Sequence, residues 1–121
     1  MPITDADRAA IRSVIQGQLE AFGRDDSAAA FAFASPEIQD QFRTPGNFIR
    51  MVKTAYQPVY RPRSVLFEDL TLMQGFPTQQ VLLLSAEGKL VMALYLMQKQ
   101  INGGWRIAGC QLMPRASDLD E

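Results

Sequence analysis

At 121 residues, with 47% hydrophobic and 21% charged residues, the chain has the length and composition of one globular domain, able to bury about two thirds of its unfolded surface. Its 12 basic and 13 acidic residues leave a net charge of -1, which argues against a footprint for nucleic acid or polyphosphate. There is no histidine and only one cysteine, Cys110, which excludes Ser-His and Cys-His nucleophile pairs, HExxH zinc sites and an intrachain disulfide.

Thr4, followed three residues later by Asp7, reads as a helix N-cap with an acid in the first turn. Ile11, Val14, Ile15, Leu19 and Phe22 then recur at helical spacing, predicting a helix from Thr4 to Phe22 that stops at Gly23. Asp25 and Asp26 open a shorter helix through Ala34. Ser35-Pro36 caps a helical turn ending near Phe42, and Thr44-Pro45 repeats the device to launch a third main helix with Phe48, Met51, Val52 and Ala55 on one face. Pro58 and Pro62 are expected to keep Gln57 to Arg63 extended.

Four strands follow: Ser64 to Gln74, Thr78 to Ser85, Lys89 to Gln100 and Trp105 to Met113. In the first, Val65 and Phe67 share a face with Leu70 and Leu72 only if one residue is extra, so Glu68-Asp69 reads as a β-bulge. Asn102-Gly103-Gly104 marks a tight hairpin. The expected organisation is a single domain over residues 1–121, with 114–121 a loose, acidic tail.

The strands are apolar on both faces. Val81 to Leu84 and Leu90 to Met97 are continuous apolar runs, whereas a sheet with one wet face alternates. The helices can cover one face; the other calls for a second chain, or for a pocket that something fills. Leu90 to Met97 is also the longest apolar run and falls far short of the about 20 residues a membrane span needs. Met1 to Asp7 lack the basic start and apolar core of a signal peptide, and a lone thiol suits a reducing compartment, so the expected location is the cytoplasm. No motif for a metal or another cofactor is visible, and Gly103-Gly104 belongs to a hairpin rather than to a phosphate loop.

Helices first and an antiparallel meander second make an α+β roll: N-terminal helices on a curved four-stranded sheet, together a cone. This order, with Ala10-Ile11, Val14-Ile15, Gln18 to Phe22, Phe33 to Pro36, Pro58 to Ser64 and Gly104 to Cys110, resembles a bacterial family of domains of unknown function. That family lies within the nuclear-transport-factor-2-like superfamily, whose cone is shared by ketosteroid isomerases and polyketide cyclases. The resemblance spans about Asp7 to Leu112, and Tyr60 to Arg63 and strand four are its most specific parts. It implies a fold and no activity. The isomerases' general base and oxyanion donors find no matching motif, so no catalytic residue is assigned.

The sharpest charge feature is the run from Arg43 to Arg63, which holds Arg43, Arg50, Lys53, Arg61 and Arg63 and no acid. The other seven basic residues share the chain with all 13 acids, so one end of the molecule should attract an anion. A solvated helix face, or Arg61 and Arg63 clamping acids of this protein such as Glu68 or Asp69, is the plainer use of the same residues. Tyr56 and Tyr60 lie inside the run, and Tyr95 interrupts an aliphatic strand with a hydroxyl that wants a partner. Cys110, with no histidine to activate it, reads as a small buried hydrophobe.

The expected function is a non-catalytic domain that dimerises through its sheet and binds a small anionic or partly apolar molecule in the cone. Tyr56, Tyr60, Arg61, Arg63 and Tyr95 are the expected ligand-binding residues, and no nucleic-acid or membrane partner is expected. One alternative is an isomerase- or cyclase-type enzyme with Glu68 or Asp69 as base and Tyr95 as donor. Another is a protein-interaction module with a sealed interior.

Overall fold

The computed structural model describes residues 3–114 and has helices first and a sheet last. α1 (Asp5–Gly23) is opened by a full capping box: Thr4 Oγ1 accepts from the Asp7 N–H and the Asp7 carboxylate accepts from the Thr4 N–H, satisfying two amides the helix leaves unpaired. α2 (Ser27–Ala32), α3 (Pro36–Phe42) and α4 (Pro45–Ala55) are each started by a side-chain cap, from Asp26, Ser35 and Thr44. Proline opens α3 and α4, where its missing N–H costs nothing.

The segment expected to be extended from Gln57 to Arg63 is corrected in its first part: Gln57–Tyr60 is a short helix, α5. Pro58 sits in its first turn, the one part of a helix where proline is tolerated.

β1 (Ser64–Met73), β2 (Phe76–Leu84), β3 (Leu90–Lys99) and β4 (Trp105–Pro114) form an open antiparallel meander in chain order. Phe67 pairs with Val81 and Leu70 with Gln79, so Glu68 and Asp69 together oppose Gln80. The bulge is where the phase change placed it. A second irregularity, Leu96 pairing with Gly109 but Met97 with Ile107, leaves Ala108 extra in β4. Such extra residues bend and twist a sheet, which lets it curve around the helices. The hairpin at Asn102-Gly103-Gly104 needs a positive φ only at Gly103, because Asn102 uses its side chain to accept from the Gly104 N–H. Pro114, assigned to the tail by sequence, pairs with Val91 as the last residue of β4; the rest of the expected tail, 115–121, lies outside the described residues.

The helices cover one face. Val81, Leu83, Ala93, Tyr95, Met97 and Ile107 join Ile11, Ile15, Leu19 and Phe22 of α1 and Phe48 and Val52 of α4 in a single core. The opposite face carries a cross-strand row from Leu66 through Leu82 and Met92 to Met113. Leu66 is 57% and Met113 49% exposed.

The free edge of β4 is partly closed by the α2–α3 connection, since Ile107 N–H donates to the Phe33 carbonyl at 2.9 Å and the Ser35 N–H donates to the Ile107 carbonyl at 2.8 Å. Phe33 is held in place from behind by α1. A Cβ at Gly17 would lie 2.7 Å from its ring, closer than side chains pack, so only glycine lets the ring and helix approach this far.

Candidate functional site

Between α3, α4 and the inner faces of β3 and β4 lies a cavity of about 350 Å³, within the range of small-molecule sites. Its wall is largely aromatic and aliphatic. Phe48 is the hub, stacked on Phe22 at 6.1 Å between centroids and edge-on to Phe42 at 5.8 Å. The polar lining is Gln18, Gln41, Tyr56, Tyr95, Cys110 and Gln111, and no Asp, Glu, Lys or Arg is among the described lining residues.

Directly paired residues share a sheet face, so Leu70, Gln79, Tyr95 and Cys110 form one row across the inner side. Gln79 spends its amide on the β1 bulge, with Nε2 donating to the Glu68 carbonyl at 2.9 Å and contacting that of Asp69 at 3.4 Å and that of Gln80 at 3.0 Å. Tyr95 is thereby left without its neighbour's help: it is 1% exposed, and its hydroxyl has no hydrogen-bond partner among the described residues. A buried hydroxyl in that condition is costly and uncommon.

On the other side of Cys110, the Tyr56 hydroxyl donates to the Cys110 carbonyl at 3.1 Å, tying the end of α4 to β4. Burial sets the electrostatics of this corner. It pushes the Tyr95 hydroxyl well above its usual pKa, the Tyr56 hydroxyl upward, and the Cys110 thiol up to about 12. All three stay neutral at physiological pH, and a thiol so disfavoured as thiolate is no nucleophile.

Two of the five expected ligand-binding residues, Tyr56 and Tyr95, line the cavity, and Tyr60, Arg61 and Arg63 do not. Tyr60 donates its hydroxyl to Asp25, Arg61 forms a 2.9 Å ion pair with the same carboxylate, and Lys53 approaches it at 3.9 Å. The Arg61 guanidinium also stacks over the Tyr60 ring at 4.7 Å. The hydrogen bond from Tyr60, followed by Arg61 and Lys53, holds the Asp25 carboxyl below its ordinary range. Two cations of the acid-free run, Lys53 and Arg61, are thus drawn to Asp25 of the α1–α2 turn. Arg63 lies exposed beyond α5, its backbone N–H donating to the Leu84 carbonyl at 2.7 Å.

Glu68 and Asp69 sit on β1, the opposite edge of the sheet from β4, and neither lines the cavity. The described residues contain no group of three or more His, Cys, Asp or Glu able to hold a metal, and no helix long and apolar enough to cross a membrane.

Sequence reading passed over Gln18, which is buried on α1 and donates to the Ala30 carbonyl at 3.1 Å. Its signal was present: it is an amide inside the apolar stripe Ile11, Ile15, Leu19, Phe22. The cavity phenylalanines had no comparable mark, because at helical spacing a lining ring and a core ring look alike.

Residues 4–119 match the family described as a domain of unknown function (DUF4864), and the chain belongs to that family. No curated protein and no solved structure matches the chain.

Proposed function

We propose that this DUF4864 domain is a small-molecule-binding module of the nuclear-transport-factor-2-like kind, which holds a mainly apolar ligand in the space between its helices and sheet without transforming it. The single observation that carries this reading is the cavity of about 350 Å³ walled by Phe22, Phe42, Phe48 and Tyr95. An interaction module with a sealed interior would have packed that space. Of the two ligand characters expected from sequence, the apolar one is supported, since an anion would be buried with no counter-charge. The isomerase-type alternative needs a carboxylate facing the ligand, and neither Glu68 nor Asp69 lines the cavity. Displacement of an environment-sensitive apolar dye tests the reading: the native protein should bind the dye, and Phe48→Trp, which fills the cavity, should abolish binding. Equal binding by both proteins would refute it.

The reading includes self-association through the outer sheet face. Leu66, Leu82, Met92 and Met113 form an uncharged row, and the next row, Gln80, Leu94 and Gln111, meets acids only at the β1 edge, where Glu68 and Asp69 oppose Gln80. A second copy can therefore face the first across a twofold axis without like charges opposing. Sedimentation at micromolar concentration should show a dimer for the native chain and a monomer for Leu82→Glu; a native monomer would remove this part.

A further inference from the structure

The orphan hydroxyl says more about the ligand than the cavity's size does, and what it says rests on the cavity-binding reading above. Around Tyr95 the other polar groups are engaged: Gln79 is spent on the β1 bulge, Gln18 donates to the Ala30 carbonyl, and the Tyr56 proton goes to the Cys110 carbonyl. Gln41 and Gln111 also line the space but are exposed; among the buried side-chain nitrogens and oxygens of the described residues the Tyr95 hydroxyl alone lacks a partner, in a wall that holds no Asp, Glu, Lys or Arg. Apolar packing alone would be served equally well by phenylalanine at that position, without the cost of an unpaired hydroxyl. We infer that the ligand is an uncharged molecule with an apolar body and a single polar head, a carbonyl or similar neutral acceptor, which takes the hydrogen bond from the Tyr95 hydroxyl. At about 30 Å³ per water-sized group the space suits on the order of ten non-hydrogen atoms.

The specificity is chemical. A neutral acceptor relieves the hydroxyl, a hydrocarbon of the same shape leaves it unpaired, and a carboxylate brings a charge that nothing in the wall offsets. Acetophenone, cumene and benzoate share one skeleton and differ in that head alone.

Chemical-shift titration of isotope-labelled full-length protein with each probe should show acetophenone perturbing the amides of Gly109 and Cys110, with an affinity about tenfold above cumene and benzoate. Tyr95→Phe removes only the hydroxyl, and in that variant the advantage over cumene should vanish while cumene binds undiminished. Cumene equal to acetophenone in the native protein, or benzoate the tightest of the three, would overturn the inference and leave the cavity-binding reading standing. Failure of all three probes to shift those amides would overturn both.

Discussion

Two tyrosine-centred clusters, one around Tyr60 of α5 and one around Tyr56 and Tyr95, solve the same problem in opposite ways. At the surface, Tyr60 gives its hydroxyl to Asp25, and Arg61 and Lys53 complete the charge balance around an acid that solvent also reaches. In the interior, Tyr56 and Tyr95 meet at Cys110 with no charge in the wall, one hydroxyl engaged and the other unpartnered among the described residues. The satisfied cluster is polar and exposed, where such contacts contribute little. The unsatisfied one is buried, where an unmet hydrogen bond costs most. Of the residues that look most like a binding site by charge, Lys53 and Arg61 are engaged with the protein's own acid, and the residue we propose for a ligand is the one sequence reading would first place in the core.

The largest effect that separates the two clusters is steric. Tyr95→Ala should destabilise the protein by about 3–5 kcal/mol in urea denaturation, because it empties a fully buried position flanked by well-packed strands; Tyr60→Ala should cost clearly less. Comparable losses would mean that both rings belong to one core and the contrast is false.

Next comes reactivity at the centre of the buried cluster. With its thiol pushed up to about 12 by burial, Cys110 should resist alkylation near neutral pH in the folded protein and react in urea at the rate of a free thiol. Rapid labelling of the native state would show that burial does not hold back the thiolate there.

The smallest effect belongs to the surface. Asp25 titrates below the ordinary carboxylate value of 3.8 when folded, so its contribution is present above that value and is lost as the pH falls through the lowered folded one. Asp25→Asn should therefore lower the urea midpoint slightly at about pH 7, the difference closing towards about pH 2 and shrinking in high salt. A difference that persisted in acid would assign the change to packing.

Much of the scaffold was legible in the chain because its signals are local. The Thr4 capping box, the Ser35-Pro36 and Thr44-Pro45 starts and the bulge at Glu68-Asp69 each declare themselves within a few residues, and all four are present. Long-range pairing left no such trace. The bridge from Ala34 to Ile107 and the extra residue at Ala108 depend on segments that only the fold brings together, and α5 was hidden because Pro58 can open a helix as well as forbid one. The candidate site divides along the same line. Tyr95 was conspicuous as a hydroxyl in an aliphatic strand, whereas the capture of Arg61 by Asp25 spans 36 positions and has no local signature.

The account stands on the Tyr95 hydroxyl being a buried donor held without a protein partner, and urea denaturation of ligand-free Tyr95→Phe beside the native chain measures that directly. Taking away an unpaired hydroxyl should leave stability unchanged or raise it by about 1 kcal/mol. A loss of about 1 kcal/mol or more would show that the hydroxyl already has a bond within the fold, and the case for a ligand at that position would be gone.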